Sequence, residues 1–268
     1  LYAQDPLITN IGNRTTLTLN GVWKYVVDPY QTGYYDYRRE VRDQQADPSK
    51  SESLFLGYKA QDPSERVEYD FDKSDNILVP RDWNSQKEKL FYYEGTIWYY
   101  KKFDYEVYLN GKKLGKHVGG FTPFNFEVTG KLNPTGNFVI VKVDNTRGIE
   151  KVPTINTDWW NYGGLTRDVN IVEVAGTFIQ DYYIQLADND PKNIDVSIIL
   201  NGSEKANQQV TVEIPAANLK VICITDSDGK AKTTIPAKSL NLWSPENPYL
   251  YDVKLTHNSE VLADKIGF

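Results

Sequence analysis

Cysteine, histidine and methionine are nearly missing from this chain of 268 residues, which holds one Cys, two His and no Met. Cys223 alone cannot form an intrachain disulfide or a cysteine-based metal site. His117 and His257 lie far apart, so their spacing makes no metal-ligand pair and no metal is expected. The absence of methionine fits removal of a signal segment ahead of Leu1-Tyr2-Ala3-Gln4, or methionines such as selenomethionine left out of the written sequence. No apolar run approaches the length of a membrane span. Thirty basic against thirty-six acidic residues give a net charge of −6, without the basic concentration that nucleic acid or an anionic membrane requires. Neither is expected as a partner, and nothing in the pattern requires a cofactor.

Helical periodicity is missing too. No segment of helical length carries a 3.6-residue apolar stripe, although Tyr34 to Gln45 is expected to form a short exposed helix. Alternation of period two dominates instead. Tyr251, Val253, Leu255 and His257 share one face of a strand, as do Val210, Val212 and Ile214, and Val139, Val141 and Val143. Asn110-Gly111 and Asp228-Gly229 are the two hairpin signals. The expected class is all-β. A boundary at Ala175-Gly176 leaves 1-175 for a larger, loop-rich sandwich of jelly-roll type. Strands recurring every 8–12 residues over 176-268 fit an immunoglobulin-like β-sandwich. The polar insertion Gln31 to Lys73 belongs to the first domain.

The densest segment is Asn156 to Val169, NTDWWNYGGLTRDV. A sugar ring offers an apolar C–H face for stacking and hydroxyls that need fixed polar partners, so Asp158, Trp159, Trp160 and Asn161 are the candidate substrate-binding residues. The competing reading is packing, since aromatic pairs beside glycine commonly fill cores and corners. Adjacent residues in extended chain point opposite ways, so one tryptophan is expected to pack under the loop while its neighbour faces a cleft.

Seven segments in order carry a resemblance. They are Leu19 to Trp23, Val79 to Trp83, Tyr93 to Tyr99, Val107 to Lys112, His117 to Phe124, Asn156 to Val169 and Leu242 to Tyr251. Together they resemble the N-terminal part of glycoside hydrolase family 2, the β-galactosidase and β-glucuronidase type. The resemblance implies a jelly-roll sugar-binding domain and an immunoglobulin-like domain, followed in the family by a TIM barrel that carries catalysis. Ile266-Gly267-Phe268 looks like the junction before that barrel. Retaining hydrolysis needs two carboxyl groups about 5–5.5 Å apart. In the family both are barrel glutamates, so no catalytic residue is assigned here and the chain alone is expected to be inactive. A family strand between Trp98 to Asp104 and the Asn110-Gly111 hairpin has no counterpart after Tyr105. Loss of a central strand would expose sheet edges, which favours a segment left out of the written sequence over a deletion.

The resemblance implies that Asp158 reaches toward the barrel's active site and contacts substrate hydroxyls directly or through a bound cation, as suits a carboxylate that accepts hydrogen bonds from a sugar diol; a turn-capping carboxylate is the alternative. Arg167 and Asp168 are expected to pair within the sandwich, His117 to be structural and His257 to be a core or border residue. Asn13-Arg14-Thr15 and Asn201-Gly202-Ser203 match the glycosylation pattern, which is common by chance. Trp243-Ser244-Pro245 and Asn247-Pro248-Tyr249 read as a rigid corner. Three functions follow: the non-catalytic part of a β-glycosidase, leaning toward β-galactosidase; a free-standing carbohydrate-binding module; and a structural two-sandwich protein. The expected partners are carbohydrate, the chain's own catalytic barrel and, as in relatives, further copies in a homo-oligomer. The expected location is periplasmic or extracellular.

Overall fold

The computed structural model describes residues 7–33, 38, 70–103, 114–188, 190–237 and 239–268. The helix expected at Tyr34 to Gln45, most of the Gln31 to Lys73 insertion, the Asn110-Gly111 hairpin and the chain just after Tyr105 lie outside these residues. Among the described residues the regular elements are strands and short 3-10 turns, so the chain is all-β. It divides into two compact units. Unit 1 contains Thr18–Ile171, and unit 2 joins the segment ending at Leu17 to Val172–Phe268.

Strand β1 (Thr16–Thr18) lies where the chain passes into unit 1. The main sheet of unit 1 comprises β2 (Gly21–Asp28), β3 (Asn76–Val79), β5 (Thr96–Phe103) and β6 (Asn137–Asp144) in the antiparallel order β3-β2-β5-β6. A two-stranded ribbon, β4 (Arg81–Asp82) with β7 (Gly164–Leu165), accompanies it. The passage back is β8 (Asn170–Val172), which pairs with β1.

Central β5 is covered on both faces, which explains its run of apolar and aromatic residues. On one face Tyr99 meets Trp23 edge-on at 6.4 Å. On the other Trp98 packs with Phe71, which stacks on Tyr100 at 4.8 Å. Asp28 is buried beneath this layer yet accepts from Trp98 Nε1 at 2.9 Å, Thr32 N at 2.9 Å and Gly33 N at 3.0 Å. Those bonds offset the desolvation of its carboxylate. Val139, Val141 and Val143 form the strand their spacing suggests, but each is only half-buried, on the strand that ends the sheet among the described residues.

Unit 2 is a seven-stranded sandwich. Its strands are β9 (Thr177–Ala187), β10 (Asp190–Gly202), β11 (Gln209–Ile214), β12 (Leu219–Ile224), β13 (Lys230–Pro236), β14 (Tyr251–His257) and β15 (Glu260–Ile266). The sheets β13-β10-β9 and β12-β11-β14-β15 face each other across one core, the immunoglobulin-like arrangement. Period-two alternation is strict in β14, where Tyr251, Val253, Leu255 and His257 are buried and Asp252 and Lys254 are exposed. The same alternation buries Val210, Val212 and Ile214 in β11. Each large aliphatic side chain so buried contributes about 1.5–3 kcal/mol.

Asp228-Gly229 is a turn but not a hairpin. β12 pairs with β11 while β13 pairs with β10, so the turn carries the chain from one sheet to the other. Gly229 has φ +82°, and its carbonyl accepts from Leu200 N at 2.8 Å. A Cβ there would meet Leu200 O at 2.6 Å, so the close approach of two backbones fixes this crossing.

The N-terminal segment is fastened into unit 2 by polar side chains. Arg14 pairs with Glu260 at 2.5 Å and donates to the Ile179 carbonyl. Asn10 Nδ2 donates to Tyr182 Oη at 2.9 Å, and Asn13 Nδ2 donates to Ala263 O at 2.9 Å. The grouping therefore departs from a single cut after Ala175. It also engages the Asn13 amide that the glycosylation pattern would require.

Candidate functional site

The segment between β6 and β7 forms a loop whose foot is built by residues from three separate stretches. Trp83 is fully buried, and its backbone N–H donates to Gly163 O at 2.8 Å. A Cβ on Gly163 would lie 2.0 Å from the Trp83 ring, so only glycine lets the loop close over the indole. Gly164, at φ +139°, enters β7 directly against the backbone of Arg81 and Asp82. Buried Asn84 joins the pieces. Its Oδ1 accepts from Gly163 N at 3.0 Å, and its Nδ2 donates to Leu90 O at 2.9 Å and Phe91 O at 3.1 Å.

A second tether is reciprocal. Asn161 Nδ2 donates to Asn145 O at 2.6 Å, Asn145 Nδ2 returns a bond to Asn161 O at 3.0 Å, and Asn145 Oδ1 accepts from Gly95 N at 2.9 Å. Asn161 is thus placed as a loop anchor, with its amide nitrogen already engaged. Arg147 and Glu94 add an ion pair at 2.5 Å.

Electrostatics at the foot favour order. Asp144 is partly desolvated, which opposes ionisation, but hydrogen bonds from Thr146 and the charges of Lys151 and Lys142 outweigh this and hold its carboxyl below the usual range. Burial pushes the Tyr93 hydroxyl up to about 12, and that group donates to Thr96 O at 3.0 Å. Both groups are structural at neutral pH.

Above this foot the loop presents aromatic faces. Trp160 contacts Phe91 at 5.1 Å, Tyr92 at 5.4 Å and Tyr162 at 6.5 Å between ring centroids. The four rings stay open, with exposures of 40% for Trp160, 47% for Phe91, 81% for Tyr92 and 60% for Tyr162. Trp159 is 59% exposed, so neither tryptophan is a core residue, and Trp160 is the one held by neighbouring rings. Asp158 is exposed and has no hydrogen-bonding or ionic partner among the described residues. An open carboxylate in the same loop as exposed ring faces can accept hydrogen bonds from hydroxyls, and such a ring face can stack on an apolar surface.

Sequence spacing brings Asp158, Trp159, Trp160 and Asn161 onto one loop but omits Phe91, Tyr92 and Tyr162. The signal for the first two is the aromatic pair directly after the 3-10 turn Glu88–Leu90, whose carbonyls Asn84 collects. Arg167 and Asp168 do not pair with each other and are exposed. Arg167 donates to Thr166 O, while Asp168 accepts from Asn20 Nδ2 at 2.9 Å. The reason is that β8 begins only at Asn170, which leaves both charges in water. His117 stacks on Phe124 at 4.7 Å and bonds to Thr122 Oγ1 at 3.0 Å, a local brace. His257 is buried in unit 2 with Nδ1 against Gln209 O at 3.1 Å. Among the described residues no three His, Cys, Asp or Glu side chains cluster as metal ligands.

Residues 177–268 match the family model for glycosyl hydrolases family 2. A β-galactosidase of Thermoanaerobacter pseudethanolicus is 29% identical over 189 residues, covering 66% of this chain and 25% of its own length. A β-glucuronidase of Paenibacillus borealis is 24% identical, over 98% of this chain and 45% of its own length. The fold is shared with the solved Bifidobacterium dentium β-glucuronidase complexed with coumarin-3-O-glucuronide. The TM-score is 0.72 and the identity 20%, with 99% of this chain and 50% of that one covered. A β-glucuronidase from an uncultured Clostridium sp. gives a TM-score of 0.68 at 21% identity, over 99% of this chain and 46% of that one. The chain thus spans about a quarter to a half of the length of these relatives.

Proposed function

Because this chain is an N-terminal region of the glycosyl hydrolase family 2 type, we propose that it is the non-catalytic part of a retaining β-glycosidase. It supports a catalytic TIM barrel and lends it one wall of the substrate cleft, the loop carrying Asp158, Trp159, Trp160 and Asn161. The observation that carries this reading is the rigid foot beneath an open carboxylate: Asn84, Asn145 and Gly163 fix the backbone while Asp158 keeps its oxygens unengaged. Such preorganisation suits a group that must meet substrate hydroxyls without first reorganising. Asp158 binds and orients substrate; Asn161 serves that role through the loop's backbone. The nucleophile and the acid/base are the two barrel glutamates that retaining hydrolysis requires.

The substrate is a β-galactoside, with a β-glucuronide as the competing class, since relatives of both names match this chain. The protein works in the periplasm or outside the cell and assembles with its own barrel, with a homo-oligomer as a further partner. Cell fractionation and light scattering of the complete protein test those two statements. The coding sequence beyond Phe268 tests the main one: it is expected to continue into alternating strands and helices with two glutamates at strand ends. A continuation without them overturns the proposal.

A free-standing carbohydrate-binding module is the second reading, favoured by the exposure of Trp159 and Trp160. It differs in requiring no barrel.

A further inference from the structure

Of the two asparagines in glycosylation-like patterns, Asn13 has its amide nitrogen engaged, whereas Asn201 Nδ2 makes no hydrogen bond among the described residues. Asn201 Oδ1 accepts instead from the backbone nitrogen of the next residue, Gly202, at 2.8 Å. The ladder explains why that nitrogen is spare. Successive N–H groups of a strand point to opposite sides. Ser203 N points to the β9 side and donates to Gly176 O at 3.0 Å, while Leu200 N points to the β13 side and donates to Gly229 O at 2.8 Å. The register with β13 ends at Ile199 and Lys230, so Gly202 N, on the same side as Leu200 N, lies beyond the strand that could accept from it. The position also requires glycine. Its φ is +119°, and a Cβ there would lie 2.0 Å from Gly176 O.

We propose that Asn201 is a modification site, deamidated within the folded chain by attack of Gly202 N. Its carboxamide is already held against that nitrogen, and joining the nitrogen to Cγ closes a five-membered succinimide. The nitrogen gives its proton to base in solution and bonds to Cγ; the Cγ–Nδ2 bond breaks, and Nδ2 leaves as ammonia after taking a proton from water. Water then opens the ring at either carbonyl, giving aspartate or isoaspartate. Asn201 and Gly202 are both partly exposed, so water reaches them. Glycosylation of the same amide would need a sugar donor and a transferase; deamidation needs neither. The product carries a negative charge near exposed Glu204, and isoaspartate adds a methylene to the main chain just before the Ser203 bond to Gly176. The inference is independent of the glycosidase reading.

Leu19-Asn20-Gly21 repeats the local sequence of Leu200-Asn201-Gly202 with a different geometry. Asn20 Nδ2 donates to Asp168 Oδ1 at 2.9 Å, and its Oδ1 accepts from Val169 N at 3.1 Å. Both ends of that carboxamide are held by another stretch of chain, and turning its Cγ onto Gly21 N would break both bonds. The third such pair, Asn110-Gly111, lies outside the described residues, and peptide mapping separates it.

The test is incubation of the 268-residue chain in mildly alkaline buffer made with heavy-oxygen water, then trypsin digestion and mass spectrometry of the peptides 193–205 and 15–24. Fragment ions locate the label within each peptide. Asn201 is expected to take up heavy oxygen at least about tenfold faster than Asn20, because only the first carboxamide is positioned for attack. In urea both pairs are freed, and the two rates should converge. Asn201→Gln, whose closure requires a larger ring, should leave that position unlabelled. Equal rates in the folded chain, or faster labelling of Asn20, overturn the proposal. So does a difference that persists unchanged in urea, since its cause would then lie in sequence rather than in the fold. None of these outcomes bears on whether a barrel with two glutamates follows Phe268, so the two proposals fail separately.

Discussion

In unit 2 the rings of Tyr251 and Phe268 meet at 5.5 Å inside the sandwich, each under a tenth exposed, whereas in unit 1 the rings of Phe91, Tyr92 and Trp160 meet at similar distances in the open. Strand position explains the first. Tyr251 opens β14, and alternation directs it inward with Val253 and Leu255. The second requires a different support, because no sheet face pins a loop ring. Amide side chains supply it, with Asn84, Asn145 and Asn161 binding backbone groups that would otherwise be solvated. Apolar burial therefore stabilises unit 2, while directional polar bonds shape the aromatic loop of unit 1. Binding surfaces need such a division, since rings used to fill a core are unavailable for stacking.

Substitutions can break this contrast at graded cost. Leu255→Ala empties a fully buried position in unit 2 and should lower stability by about 3 kcal/mol in urea unfolding. Arg14→Ala leaves Glu260 without its ion-pair partner, in a setting where the Arg14 side chain is 2% exposed. A loss of about 3 kcal/mol is expected, registered as faster amide exchange at Ile179, whose N–H also bonds to Glu260 at 2.7 Å. Asn84→Ala strands a buried N–H and two carbonyls, so about 2 kcal/mol should be lost, together with the near-ultraviolet circular dichroism of the aromatic loop.

Acid should act on unit 1 through Asp144. Its folded-state pKa lies below 3.8, so its contribution is complete above pH 3.8 and disappears as pH falls through the lower folded value. Stability measured between pH 5 and about 2.5 should therefore fall less steeply in Asp144→Asn than in the parent chain. Smallest of all, Asp158→Asn should change stability by less than about 0.5 kcal/mol, because the side chain is exposed.

Alternating strands were the most legible part of the sequence. β11 and β14 each have one core-facing side, and a single wrong register would turn Val212 or Leu255 into water. A turn signal conveys less. Asp228-Gly229 indicates that the chain bends, but not that β12 and β13 belong to different sheets, which depends on the contact between Gly229 and Leu200. Nor does local pattern show that Arg14 will meet Glu260, a partner 246 residues away. The site was half legible for the same reason. Asp158 and Trp160 are near neighbours in sequence, while Phe91 and Tyr92 join them only through Asn84 and the closure of Gly163 over Trp83.

The central claim is that Asp158 serves a substrate whose bond is cleaved by groups outside this chain. Steady-state hydrolysis of β-galactosides and β-glucuronides by the complete protein, with and without Asp158→Asn, tests it most directly. The account predicts a fall in kcat/KM of about tenfold or more with an unchanged melting temperature, as expected when a hydrogen bond to substrate is lost. An unchanged kcat/KM would contradict it.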